Sequence, residues 1–390
     1  DGAGNWTLAG SEGDITGLDE GTLTVSVTQT DAAGNTSTAA TQTITYDKTA
    51  PTLAISTIAT DDVINATEDD SSVTVSGTTD AEDGQTVTVQ VGALTKTATV
   101  SSDVWSLDLS NTDVQGLSEG TVNVTADVSD QAGNAATQAS TSLTYDKTAP
   151  TLSAATLSSD NATSTLALVG DTVTLAFTTD GSQSGTPTVT IAGQSVTAAL
   201  VSGNAYTASY TLTGSDSEGA VAFTIDATDT AGNAMTQVTT VTSGSGVTFD
   251  RSAPSLAATV SQSFAENGSG TVLDIDANDG SGADIGIAYS LSGSDQDDFS
   301  LNASNGILTF KNTPDAEAPT DSDGNNIYVV DITATDLAGN TATQAATLTV
   351  TDVNDNTPSA PTDADGSSNS VAEDAAVGDT VGVTASSTDA

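Results

Sequence analysis

The sequence predicts an all-β chain of tandem sandwiches, and three observations predict it. Runs such as Leu23-Thr24-Val25-Ser26-Val27 and Thr86-Val87-Thr88-Val89-Gln90-Val91 alternate with period two and are rich in β-branched residues. No stretch carries a convincing helical stripe, and Gly, Asn and Asp mark the turns between the runs. Two short motifs recur in step at a period near 100 residues, the size of one small sandwich domain.

The first motif is an acidic junction: Tyr46-Asp47-Lys48-Thr49-Ala50-Pro51, Tyr145-Asp146-Lys147-Thr148-Ala149-Pro150 and Phe249-Asp250-Arg251-Ser252-Ala253-Pro254. A fourth version is Asp352-Val353-Asn354-Asp355-Asn356-Thr357-Pro358. Pro51, Pro150, Pro254 and Pro358 follow one another at 99, 104 and 104 residues. The second motif is Asp31-Ala32-Ala33-Gly34-Asn35, repeated as Asp130-Gln131-Ala132-Gly133-Asn134, Asp229-Thr230-Ala231-Gly232-Asn233 and Asp336-Leu337-Ala338-Gly339-Asn340.

Composition narrows the function classes. At roughly 100–200 residues per domain, 390 residues allow two to four domains, and the repeat favours the upper end. Fifty-two acids against 5 bases give a net charge of −47. That charge repels nucleic acid and disfavours an anionic membrane surface. The acids are read either as a solvated surface or as clustered carboxylates for a divalent cation. Three of the five bases, Lys48, Lys147 and Arg251, share one place in the junctions, as local charge balance beside an acidic cluster. With no Cys and no His, a disulfide framework, a Cys/His zinc site and His-activated nucleophiles are excluded. The composition fits bacterial surface proteins without proving export. The chain has no signal segment and no apolar run of bilayer length, so direct membrane insertion is not expected.

Taken in order, residues 1–47 match only the second half of a repeat. Trp6 precedes Asp31 by 25 residues, as Trp105 precedes Asp130, so the chain reads as a window cut from a longer protein. Complete repeats are expected at 48–146, 147–250 and 251–355, with the start of a further domain at 356–390. The strand before each Gly-Asn motif keeps one apolar phase: Leu23, Val25, Val27; Val122, Val124, Ala126; Val221, Phe223, Ile225; Tyr328, Val330, Ile332. A core-facing strand requires that. Trp6 and Trp105 are expected as core plugs rather than ligand platforms. The end piece, with the alternating run Thr380-Val381-Gly382-Val383-Thr384, is too small to bury a core alone.

The fourth repeat resembles a cadherin-type domain. Residues Asp352 to Pro358 fit the DxNDNxP linker motif at every defined position. Phe264-Ala265-Glu266-Asn267, Tyr289-Ser290-Leu291, Gly306-Ile307-Leu308-Thr309, Pro314-Asp315-Ala316-Glu317 and Ala334-Thr335-Asp336 are similar to further elements of that family. The departure is Asp276-Ala277-Asn278-Asp279, where the family has a clean DxD. Repeats one to three resemble bacterial immunoglobulin-like repeats of giant RTX or biofilm-associated adhesins. Their marks are the Trp strand, the Glu-Gly-Thr turn, the Asp-x-Ala-Gly-Asn loop and the Asp-Lys-Thr-Ala-Pro junction. The resemblances imply tandem immunoglobulin-like and cadherin-like β-sandwiches in a linear rod, secreted and stiffened by calcium.

In such a sandwich the B–C and F–G loops lie at the incoming end, and the A–B and E–F loops at the outgoing end. Acids from neighbouring domains of the same chain then converge at each joint. The first joins Glu20, Asp47, Asp80 and Asp130; the second Glu119, Asp146, Asp180 and Asp229; the third Glu218, Asp250, Asp279 and Asp336. The fourth joins Glu266, Asp315, Glu317, Asn354 and Asp355, with Asp389 from the end piece. Calcium takes six to eight oxygen ligands, and converging carboxylates without it repel one another. Taken singly, each loop also reads as a simple turn.

The leading expectation is a non-catalytic, calcium-stiffened extender on the bacterial cell surface, projecting adhesive domains for cell adhesion and biofilm formation. Surface or glycan partners would then belong to other parts of the parent protein. The alternative is an adhesion module that itself binds a sugar, a surface or another copy, for which Thr-rich faces such as Thr347-Leu348-Thr349-Val350-Thr351 are candidates. A two-carboxylate glycosidase is disfavoured, because no acid pair stands apart from the joint pattern.

Overall fold

The computed structural model describes residues 15–257, 259–279, 286–354, 360–364, 366, 370–379 and 383–387. Trp6, Asp355, Asp389 and residues 380–382 of the last alternating run lie outside them. The chain falls into two compact units, Asp1–Leu157 with Thr174–Tyr210 and Ala222–Gly246, and Ser158–Val173 with Thr211–Val221 and Val247–Ala390. Strands dominate both, as the alternation predicts.

In the first unit, Gly21–Val27 and Ala40–Tyr46 form an antiparallel two-stranded sheet. Leu23 and Val27 are half-buried and Val25 exposed, because among the described residues no second sheet packs on them. The second repeat is a complete sandwich. Leu53–Ile55, Val73–Thr79 and Val104–Leu109 make one sheet. The other has the order Val63–Ile64, Ala139–Tyr145, Gly120–Asp127, Thr86–Val91, Leu94–Thr99. All its pairs are antiparallel except Val63–Ile64 beside Thr144–Tyr145, which run parallel.

The core between these sheets carries the predicted phase. Val122, Val124 and Ala126 are buried with Val75, Val87, Val89 and Leu143. Trp105 is 1% exposed and plugs this core as expected. It packs where Gly77 leaves space, since a Cβ there would come within 2.5 Å of the indole and 2.0 Å of the Ala54 carbonyl. One element escaped the sequence reading. Asn111–Gln115 forms a single helical turn, capped by Ser110, whose hydroxyl accepts from the Asp113 amide while Asp113 accepts from the Ser110 amide. One turn is too short for a helical stripe to register.

One of the three junction bases, Lys147, is paired outside the joint, whereas Arg251 pairs with the joint acid Glu218. Lys147 lies over the Tyr145 ring, 5.7 Å from its centroid, and its Nζ is 3.8 Å from buried Asp69. Asp69 accepts the Tyr145 hydroxyl at 2.5 Å. The Tyr145 contact, followed by the Asp69 and Glu119 charges, raises the Lys147 pKa and keeps it charged. Its partner is thus a carboxylate far back in the sequence.

In the third repeat, Thr172–Thr179 lies between Leu152–Ser159 and Ala205–Thr211, with Ala199–Ser202 outermost. Thr188–Ile191 lies between Gln194–Thr197 and Phe223–Asp226. Leu166–Ala167 pairs parallel with Thr248–Phe249.

The fourth repeat belongs to the second unit. Val260–Ala265, Thr341–Thr351, Ile327–Thr335 and Ala288–Ser292 form one sheet in that order; Thr271–Asp274, Ile307–Phe310 and Phe299–Leu301 form the other. Val260–Ala265 pairs parallel with Ala346–Thr351 over six residues. Tyr328, Val330 and Ile332 face the core, where Phe299 meets Phe310 at 4.4 Å and stands edge-on to Tyr328 at 5.6 Å. Thr347 and Thr349 are half-buried in this sheet rather than forming an exposed array. In the last piece, Thr362–Asp363 pairs with Ala385–Ser386. Among the described residues, no helix is long and apolar enough to cross a membrane.

Candidate metal centres at the joints

The first three joints are built from the same three parts, and the fourth shares the first two. The first is a glutamate that clasps the junction backbone. Glu20 accepts the Lys48 amide at 2.7 Å and the Thr49 hydroxyl at 2.9 Å. Glu119 holds Lys147 and Thr148 in the same way, and Glu218 holds Arg251 and Ser252. In the fourth joint Glu266, only 3% exposed, accepts the Val353 and Ala316 amides. These bonds lower the pKa of Glu20, chiefly through the Lys48 amide, and that of Glu218, chiefly through the Ser252 hydroxyl.

The second part is the junction aspartate, which turns onto the amide two residues on: Asp47 to Thr49, Asp146 to Thr148, Asp250 to Ser252, Asp352 to Asn354. The third is the Asp-x-Ala-Gly-Asn loop. Its Asp accepts the amide and the side-chain NH2 of its own Asn, as in Asp130–Asn134 at 2.8 Å for both. The Asn NH2 also reaches the junction carbonyl: Asn134 to Asp47 at 3.2 Å, Asn233 to Asp146 at 2.9 Å, Asn340 to Asp250 at 3.2 Å. The motif therefore ties the second, third and fourth repeats to the junctions before them. Asn233 is 4% exposed and its carbonyl oxygen accepts the Ala66 amide as well. Asn233→Ala is expected to cost about 2–3 kcal/mol, because it leaves Oδ2 of Asp229, the Asp146 carbonyl and the Ala66 amide without this partner. Thermal unfolding followed by circular dichroism checks this, and an unshifted transition would refute it.

Carboxylates converge on top of this frame. At the third joint, oxygens of Asp250, Asp279 and Asp336 lie within 4.8 Å of one another. Desolvation raises the Asp250 pKa, helped by the charges of Asp336 and Glu218. Desolvation, then Asp250, Asp336 and Glu218, raises that of Asp279. Arg251 is turned away to Glu218, 3.8 Å from its Nε, and to the Gly214 carbonyl. At the fourth joint Glu266, Glu317 and Asp352 close to the same spacing, and desolvation followed by the other two charges raises the Glu317 pKa. These are the two such groups among the described residues.

The first two joints are more open. Asp47, Asp80, Glu82 and Asp130 line a cleft of about 210 Å³, and Asp146, Asp180 and Asp229 one of about 410 Å³. Asp80 accepts the Thr52 amide, and Asp180 the Thr151 amide and hydroxyl, whose bonds lower the Asp180 pKa. Asp315 is turned onto the Glu317 and Ala318 amides, and Asn354 has φ 47°. The sequence reading passed over Asp352, although it opens the linker motif, and Glu82, which accepts the Gln131 amide. Nothing in the spacing marks Glu82.

The bacterial Ig-like domain family (group 3) matches residues 11–108 and 108–240. No curated protein matches the chain. Among solved structures, the chain is similar to a Ca2+-stabilized adhesin that helps an Antarctic bacterium reach out and bind ice. The identity is 25%, covering 85% of this chain and 82% of that one, with a TM-score of 0.44. A bacterial immunoglobulin-like domain of the M. primoryensis ice-binding adhesin is 34% identical over 25% of this chain and 96% of its own, with a TM-score of 0.21. Cadherin domains 3–6 of protocadherin gamma B2 are 16% identical over 76% of this chain and 72% of theirs, with a TM-score of 0.27.

Proposed function

The chain belongs to the bacterial Ig-like domain family (group 3), and on that premise we propose that it is a non-catalytic extender segment of a large secreted adhesin, whose joints are stiffened by calcium. The repeats at 48–146, 147–250 and 251–355 are its units, and its place is the bacterial cell surface. The observation that carries this reading is the group of Asp250, Asp279 and Asp336. Three carboxylates within 4.8 Å fit one coordination sphere of Ca2+–oxygen bonds near 2.3–2.6 Å. Desolvation, and then the neighbouring charges, raise the pKa of Asp250 and Asp279, and a cation offsets both. Glu266, Glu317 and Asp352 would hold an ion at the fourth joint, together with Asn354 and Asp355 of the linker motif. Asp47, Asp80 and Asp130, and Asp146, Asp180 and Asp229, would do so in the first two clefts. Calcium would supply positive charge there; the chain itself supplies the glutamate clasp and the asparagine tie that position the acids.

Protons compete for the same oxygens. The raised carboxyls of Asp250, Asp279 and Glu317 protonate before ordinary ones as pH falls. Calcium affinity is therefore expected to drop, and binding to release protons, as pH enters the range just above the usual carboxylate value. Calorimetric titrations in two buffers of different ionisation enthalpy measure that release.

The cysteine-free chain accepts label pairs across chosen joints. Calcium is expected to narrow the label distances at the third and fourth joints. Asn354→Ala with Asp355→Ala should abolish the response of the fourth and leave the Asp146 joint intact. Distance distributions indifferent to calcium at both would overturn the reading.

A further inference from the structure

The third repeat carries a stretch unlike the rest of the chain. Between Asp180 and Asp216 no residue is charged over 35 positions, whereas the next longest neutral run, 230–249, has 20. The neutral stretch contains two edge strands. Gln194–Thr197 is the outermost strand of one sheet and Ala199–Ser202 the outermost of another, with buried Ala198 between them. Each is paired on one side, by Thr188–Ile191 and Ala205–Thr211 respectively. The register shifts between Leu200 and Ser202, and Leu200 and Val201 are 60% and 63% exposed.

The second repeat guards the corresponding edge. Its hairpin turns at Gly92-Ala93 as the third turns at Ala192-Gly193, which sets Lys96 where the third has Val196. Lys96 is ion-paired with Asp113. A lysine on an edge strand opposes pairing with another chain. The third repeat has lost that charge and gained two exposed aliphatic side chains.

We propose that the Gln194–Ser202 edge docks a second copy of this chain, edge to edge and antiparallel. The charge argues for this occupant. Two chains of −47 repel wherever acids face acids, and a two-fold antiparallel contact sets this neutral edge against itself. The unpaired backbone groups supply the hydrogen bonds, and Leu200 and Val201 the apolar contact. An edge this short covers less than the ~1,200 Å² of a standard interface, so the contact is weak. Salt strengthens it by screening the repulsion of the remaining surface.

Sedimentation velocity of the full chain in chelator, across concentration and salt, tests the proposal independently of the calcium reading. The expected result is a dimer that grows with both. Leu200→Glu with Val201→Glu, at exposed positions, is expected to raise its dissociation constant ~tenfold or more by opposing like charges across the edge. Val201→Cys should oxidise to a disulfide-linked dimer well ahead of Val104→Cys, a similarly exposed control. A monomer under all conditions, a dimer dispersed by salt, association indifferent to the two glutamates, or equal cross-linking of the two cysteines would overturn it.

Discussion

Asp279→Asn is expected to move the calcium-free and calcium-loaded proteins in opposite directions. Without the ion, Asp279 is desolvated beside Asp250, Asp336 and Glu218, and its pKa is raised. A carboxyl raised on folding stabilises the protein when protonated and ceases to do so as pH rises through its folded value. Where it is ionised it is repelled, so the neutral amide relieves that repulsion and the calcium-free melting temperature rises. With calcium the sign reverses, because a charged ligand is lost. At a hundred times Kd a bound ion adds about 2.7 kcal/mol. For a repeat of this size that is a melting shift of roughly 10 °C, which the variant forfeits at the third joint. Differential scanning calorimetry with calcium and with chelator reads both arms. A variant that loses stability in chelator would mean that Asp279 makes a structural bond the acid cluster does not explain.

Gly77→Ala is expected to unfold the second repeat selectively. A methyl there meets the Ala54 carbonyl at 2.0 Å and the Trp105 ring at 2.5 Å, so a backbone group and the largest core side chain would both have to move. The cost is about 3 kcal/mol or more, a large part of what holds one domain. Adding Trp105→Phe should not rescue it, since the Ala54 carbonyl stays in place. Taken alone, that change removes an indole N–H that has no partner in the core. Retention of the wild-type melting profile by Gly77→Ala would show that the neighbouring strands of this sheet can shift without loss.

The period-two pattern made the core legible, because a strand with one buried face leaves no freedom of phase. Val122, Val124 and Ala126, and likewise Tyr328, Val330 and Ile332, are buried on the strength of alternation alone. The recurring junction and loop likewise pointed to the place where Asp250, Asp279 and Asp336 lie together. What each acid does there was not legible. Sequence spacing does not say that Glu119 is occupied by the Lys147 amide and Thr148 hydroxyl while Asp279 stands among like charges. Nor does it say that Asn233 reaches back to the Asp146 carbonyl, 87 residues away. Those are contacts between loops whose proximity only the folded chain fixes. Lys147 was read as neutralising the joint, but its aromatic neighbour and a buried carboxylate 78 residues earlier claim it.

The parallel pairing that closes each repeat bears on how the protein takes a load. A strand near the start of the repeat lies parallel to its last strand, so tension applied through the chain ends slides one along the other. Their hydrogen bonds then share the pull and must break together, instead of opening one at a time. The fourth repeat sets six residue pairs in this arrangement, Val260–Ala265 on Ala346–Thr351, whereas the second and third set two each. Forced extension follows the unfolding barrier rather than the equilibrium stability. In a single-molecule pull the fourth repeat should therefore yield last, whichever repeat melts first on heating.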